Sequence, residues 1–127
     1  MQKIILIGLG GGLGAILRYY IGGYVQQWTN SFTFPYGTVA VNLLGCLVIG
    51  LLSYLAETRS IFTPEVRLFV FIGLLGGFTT FSTFGNESIN LLRDGENHLA
   101  FWYVSLHVFA GLGAVWVGRI LAGLIWR

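Results

Sequence analysis

Residues 76–84 read Gly76-Gly77-Phe78-Thr79-Thr80-Phe81-Ser82-Thr83-Phe84, a run that sets small hydroxyls between phenyl rings and carries no charge. Hydroxyls donate and accept hydrogen bonds. A phenyl ring has a negative face and a positive edge, so edges turned inward offer a weak, dry attraction to an anion. The run lies within a stretch apolar enough to cross a membrane, and it opens on two helix-weakening glycines. A polar, irregular backbone at membrane depth is tolerated only where protein or water covers it. The run is therefore expected to line something.

At about 100° per residue, Thr79, Ser82, Thr83, Asn86 and Asn90 fall on one broad helix face, and Phe78, Phe81 and Phe84 fall away from it. The competing reading is that each hydroxyl bonds the carbonyl one turn back. That reading satisfies any single hydroxyl but does not explain their alignment. Thr38 and Asn42 are four apart and share a face of another apolar stretch. A lone Asn there is equally suited to an interhelical hydrogen bond. Glu87 borders the track, as a carboxylate reaching the interface, a gate, a vestibule residue or a proton carrier. Arg18 either snorkels to water or sets a positive mouth that draws anions in. His107, near Tyr103 and Ser105, is open to three readings: a satisfied polar contact, a pore-lining group or a proton relay.

These groups need elements to hold them, and the composition leaves one class. Of 127 residues, 55% are hydrophobic and only 9% are charged, against about a quarter charged in a soluble domain. The chain is an integral membrane protein, expected to form a single all-α domain over residues 1–127. A membrane helix needs roughly twenty mainly apolar residues. Four stretches qualify: Ile4 to Val25, Tyr36 to Ala56, Leu68 to Leu92 and Leu99 to Trp126. Thr63-Pro64 suits a helix start, and Trp28, Trp102 and Trp126 lie near span ends, where such rings favour the headgroup region. The N-terminal Met1-Gln2-Lys3 imitates a signal peptide, but the apolar character resumes after Arg18 and the segment is expected to stay as the first span. Gly8/Gly12 and Gly10/Gly14 are small-xxx-small pairs that let helices approach closely, within the chain or between chains.

Four spans put both termini and the middle loop on one side, with Lys3, Arg59, Arg67 and Arg127, while Arg93 lies on the other. The positive-inside rule leans towards cytoplasmic termini, and a bias this slight permits insertion both ways. The seven basic residues form no cluster, so nucleic acid is not an expected partner. Cys46 stands alone, without metal-ligand spacing. Nucleotide-binding, zinc-hydrolase and nucleophile motifs are absent, so an enzyme is not expected.

The run from Gly76 to Phe84, with Gly11-Gly12-Leu13-Gly14-Ala15-Ile16-Leu17-Arg18 and Gly37-Thr38-Val39-Ala40-Val41-Asn42-Leu43-Leu44-Gly45, resembles the Fluc (CrcB) family of fluoride channels over essentially the whole chain. The resemblance implies an antiparallel, dual-topology homodimer in the bacterial inner membrane, enclosing two pores that let fluoride leave the cell and relieve its toxicity. It implies that Phe81 and Phe84 turn ring edges to the ions. Asn42 is the pore asparagine, and Ser82 and Thr83 are the track hydroxyls with Thr38 beside them. Glu87 is the acidic residue at the end of the track, and Arg18 the vestibule arginine. The third helix is expected to break near Gly76–Thr79, where the carbonyls of Gly76 and Thr79 would bind a structural Na⁺ at the dimer axis. His107 departs from the serine familiar at that place. Two readings compete with the channel: a proton-coupled small-molecule exporter, for which Glu87 is the sole carboxylate candidate, and a structural membrane subunit whose polar residues only join helices.

Overall fold

The computed structural model describes residues 1–126. Four helices are long and apolar enough to cross a membrane: Gln2–Thr29, Tyr36–Thr58, Pro64–Arg93 and Asn97–Ile125. Each reaches beyond at least one end expected from hydropathy alone, because interfacial polar residues continue the hydrogen-bond ladder past the apolar stretch. The first span runs four residues past Val25, to Thr29. It stops at Asn30, which takes the left-handed conformation (φ 49°) and donates its N–H to the Gln27 carbonyl. The Gln26 amide then holds the turn, donating to the Ser31 and Phe34 carbonyls (2.6 and 3.1 Å) and accepting from the Gly37 N–H (3.0 Å).

The opposite end is tied by arginines on helix C-terminal carbonyls, which cations stabilise. Arg67 donates to the Ala56 carbonyl at 3.0 Å, and Arg59 reaches the Trp126 carbonyl. Arg119 pairs with Glu57 at 2.6 Å. Thr63 begins the third span by accepting the Val66 N–H, with Pro64 at the first helical position.

Glycines set the packing. A Cβ on Gly14 would strike the Leu74 carbonyl and come within 2.8 Å of the Phe78 amide, and one on Gly77 would lie 3.0 Å from the Gly11 Cα. The first span thus lies directly on the front half of the third. Gly50 and Gly118 seat the second span on the fourth in the same way, against Val115 and Leu47. The two glycine pairs divide: Gly10/Gly14 is consumed within the chain, whereas Gly8 and Gly12 meet nothing within 4 Å. The tightest core gathers Phe34, Val39, Leu91, Ala100 and the fully buried Tyr103, so the first loop is anchored by Phe34 beneath the fourth span.

The third span is not one regular helix. Leu68–Leu75 is π-helical, Gly76–Phe78 is a last short α-turn, and a new helix starts at Phe81. Thr79 and Thr80 between them are extended (φ/ψ −86°/161° and −151°/119°). The break near Gly76–Thr79 is therefore present, centred on the two threonines. It corrects one expectation. Helical phase does not carry through Thr79, so Thr79 does not continue the face of Ser82, Thr83, Asn86 and Asn90.

Candidate functional site

An interruption at membrane depth exposes backbone groups, and each left unpaired in hydrocarbon costs several kcal/mol. Here they are accounted for by named side chains. Thr79 closes the first half, its N–H and its Oγ1 both donating to the Leu75 carbonyl (3.0 and 2.9 Å). The Thr80 N–H, which an unbroken α-helix would send to the Gly76 carbonyl, goes to Asn42 Oδ1 at 2.8 Å. Asn42 Nδ2 returns a bond to the Thr80 carbonyl at 3.0 Å. The Thr80 hydroxyl caps the second half, accepting from the Thr83 N–H (3.2 Å) and donating to Thr83 Oγ1 (3.0 Å). Arg18 Nη1 donates to the Thr79 carbonyl at 3.3 Å. One detail of its expected placement changes: because the first helix runs on to Thr29, Arg18 lies about 16 Å of helical rise before the helix end and not near it, and its guanidinium reaches the break while also lining a cavity.

Two cavities meet there. The outer, about 510 Å³, is lined by Arg18, Gln26, Thr38, Thr80, Thr83 and Glu87 among others. The inner, about 400 Å³, includes Asn42, Gly76, Thr79, Thr80, Phe81, Phe84 and His107 in its wall. Thr80 alone of these residues borders both. Ser82 borders neither; it is exposed and approaches the Thr80 hydroxyl at 3.5 Å.

Glu87 is held from two helices. Thr38 Oγ1 donates to one carboxylate oxygen (3.1 Å), and the Tyr103 hydroxyl to the other (2.5 Å). Thr38 and Asn42, one turn apart on the second span, thus fasten two points of the third, at Glu87 and at Thr80. Phe81 and Phe84 have ring centroids 5.4 Å apart, tilted by 54°. Phe84 stacks on His107 at 4.4 Å, and Tyr103 meets His107 edge-on at 4.5 Å. Phe81 is 83% exposed, at the open side of the chain. Among the described residues no three His, Cys, Asp or Glu side chains converge as metal ligands. The hard oxygens on offer at the break are the carbonyls of Gly76, relieved of its helical donor from Thr80, and of Thr79, which keeps a lone pair beyond the one facing Arg18.

The model of the CrcB family (CrcB-like protein, Camphor Resistance) matches residues 5–119. The chain belongs to the CrcB family. Its relatives within that family include proteins named fluoride-specific ion channel FluC. One from Flavobacterium psychrophilum is 45% identical over 96% of this chain and 98% of its own length. One from Chloroflexus aurantiacus is 50% identical over 93% of each chain. One from Methanosarcina acetivorans is 44% identical over 96% of this chain and 92% of its own.

Two residues of this CrcB chain escaped the sequence reading. Thr80 lies inside the run from Gly76 to Phe84, but a helical wheel through that run gives it no role; its N-cap function follows from the break. In the sequence Tyr103 is only a neighbour of His107. Their spacing of four carried a signal: both rings face the third span, one through Glu87 and the other through Phe84.

Proposed function

We propose that this chain is the subunit of a passive, selective fluoride channel, a multi-pass protein of the bacterial inner membrane. The observation that carries the reading is the helix break, where uncharged donors and phenyl rings face two adjoining cavities in a chain of this family. Fluoride is small and surrenders its water reluctantly. A pore must replace that shell with several donors yet release the ion. Arg18 draws anions into the outer cavity. The hydroxyls of Thr83, at the outer cavity, and of Ser82, on the exposed face beside Thr80, give a stepwise hydrogen-bonding surface, and Thr38, its own proton given to Glu87, holds the carboxylate beside them. Asn42 spends one Nδ2 proton on the Thr80 carbonyl and has a second to offer the ion. The edges of Phe81 and Phe84 add mild attraction. Glu87, both oxygens occupied by hydroxyl donors, keeps its carboxylate directed at Thr38 and Tyr103 instead of at the anion. An inside-negative potential drives fluoride outward, by about 2.3 kcal/mol per charge per 100 mV, so the cell is relieved without a pump.

The assembly we propose is an antiparallel, dual-topology homodimer. Phe81, Ser82, Thr83 and Asn86 are exposed on one chain at membrane depth, where lipid cannot solvate polar groups. A second copy would cover them and enclose two pathways. A structural Na⁺ fits the donor set: the Gly76 and Thr79 carbonyls of both copies would hold it. Bound there, it would link the two chains as a hard cation among oxygens.

Vesicles loaded with potassium fluoride test the proposal. Purified protein is expected to release fluoride rapidly once a potassium shunt is supplied, and to retain chloride. A proton-coupled exporter would instead need Glu87 and a pH gradient, and a structural subunit would pass nothing.

A further inference from the structure

A third cavity, of about 550 Å³, opens where Lys3 of the first span, Glu57 of the second and Pro64–Arg67 of the third come together. Its size falls within the range of ligand pockets, about 300–1,000 Å³. Its wall changes character along its length. At one end stand the charges of Lys3, Glu65 and Arg67. At the other stand Leu68, Phe71 and Ile72, all on the π-helical stretch Leu68–Leu75. From Glu65 to Ile72 is about 10 Å of helical rise. The charged end coincides with the starts of the first and third spans and the close of the second, where headgroups lie, and the apolar end reaches into the hydrocarbon. Ile72 is 58% exposed there.

The charges at this end are not matched within the chain. The ion pairs among the described residues are Arg93–Asp94 and Arg119–Glu57, so Lys3, Glu65 and Arg67 stand unpaired at the cavity. Glu57 is already engaged, with its two oxygens on Arg119 (3.2 and 2.6 Å). Arg67 gives one Nη2 proton to the Ala56 carbonyl at 3.0 Å, which fixes the guanidinium and leaves donors to spare. Guanidinium and ammonium groups bind phosphate, and a carboxylate accepts from an ammonium. A groove that runs from two cations and one carboxylate into hydrocarbon matches an amphiphile lying in the bilayer. We infer that this groove is a binding site for a phospholipid with an ethanolamine headgroup, its phosphate on Lys3 and Arg67, its ammonium on Glu65, and an acyl chain along Leu68, Phe71 and Ile72. A choline headgroup carries the same charges but has no N–H to give Glu65. A glycerol headgroup lacks the cation, and leaves Glu65 facing a net negative lipid. Seated there, the ethanolamine lipid joins the ends of the first and third spans, whichever ion the chain passes.

Native mass spectrometry tests the site on the whole protein, purified in detergent and mixed with equal amounts of dioleoyl phospholipids bearing ethanolamine, choline and glycerol headgroups. The parent should retain the ethanolamine lipid about fivefold over each of the other two, the upper weight of an exposed ion pair. Glu65 is exposed, so Glu65→Gln leaves the fold in place. That variant should bring the ethanolamine lipid down to the level of the choline lipid and raise the glycerol lipid. Lys3→Gln should weaken retention of all three. A parent that prefers the glycerol lipid has a plain anion patch, and one that retains all three alike is merely solvated by lipid; each result overturns the site. So does a lipid preference that Glu65→Gln leaves unmoved. A dimer that retains no ethanolamine lipid while its monomer does has the groove filled by the second copy, which also overturns the site.

Discussion

The side-chain amide of Asn42 replaces, for Thr80, both partners that a continuous helix would have supplied: Oδ1 takes the N–H at 2.8 Å and Nδ2 gives to the carbonyl at 3.0 Å. One residue on the second span thereby makes a break in the third affordable at membrane depth. Asn42→Ala strands both groups, at about 1–3 kcal/mol each. Reduced thermal stability in detergent and loss of fluoride flux are expected together. Asn42→Asp keeps the acceptor but loses the Nδ2 donor, and is expected to lose flux with a smaller change in melting temperature.

Phe81 and Phe84 differ in what surrounds them, so the same substitution separates conduction from packing. Phe81 is 83% exposed, and Phe81→Ile is expected to slow fluoride while leaving the fold and the assembly intact. Phe84 leans on Tyr103 and His107 as well, so Phe84→Ile should slow fluoride and also cost about 0.5–1.5 kcal/mol of aromatic contact. Efflux rates beside size-exclusion profiles decide this; equal throughput in Phe81→Ile means that the ring merely packs.

Tyr103 is fully buried, and its hydroxyl lies 2.5 Å from Glu87. Removing that hydroxyl in Tyr103→Phe leaves a carboxylate oxygen without its donor, a loss of about 1.5–3 kcal/mol for a hydrogen bond to a charged group. Glu87→Gln is expected to leave fluoride flux independent of any imposed pH gradient. Transport that requires a proton gradient in the parent and vanishes in Glu87→Gln supports the exporter instead.

The glycines give a pair of opposite outcomes. Gly14→Ala drives a methyl into the Leu74 carbonyl and is expected to destabilise the chain by about 1–3 kcal/mol through overpacking. Gly12→Ala meets open space in the chain and should be neutral in the isolated subunit. A fall in dimer affinity for Gly12→Ala, measured by dilution in lipid, would place that glycine at the second copy.

Hydropathy made the four spans legible, because roughly twenty apolar residues have few other uses. Their ends were not, since Gln26, Gln27 and Trp28 continue the first helix after apolarity fades. That extension is what leaves Arg18 well short of the helix end, beside the break. The glycine and threonine cluster marks the break, but not the sequel: a wheel drawn through an extended pair loses its phase and groups Thr79 with residues it does not join. Asn42 was visible as a buried amide, yet its partner, backbone thirty-eight residues away, leaves no trace in spacing. Tyr103 gave only the weak signal of lying four residues before His107.

Halide release from sealed vesicles bears most directly on the central claim, that uncharged donors and ring edges stand in for fluoride's water. Folded protein reconstituted in lipid is expected to empty vesicles of fluoride within the mixing time of a potassium shunt while chloride stays inside. Vesicles that hold fluoride as tightly as protein-free lipid, or that lose both halides alike, contradict it.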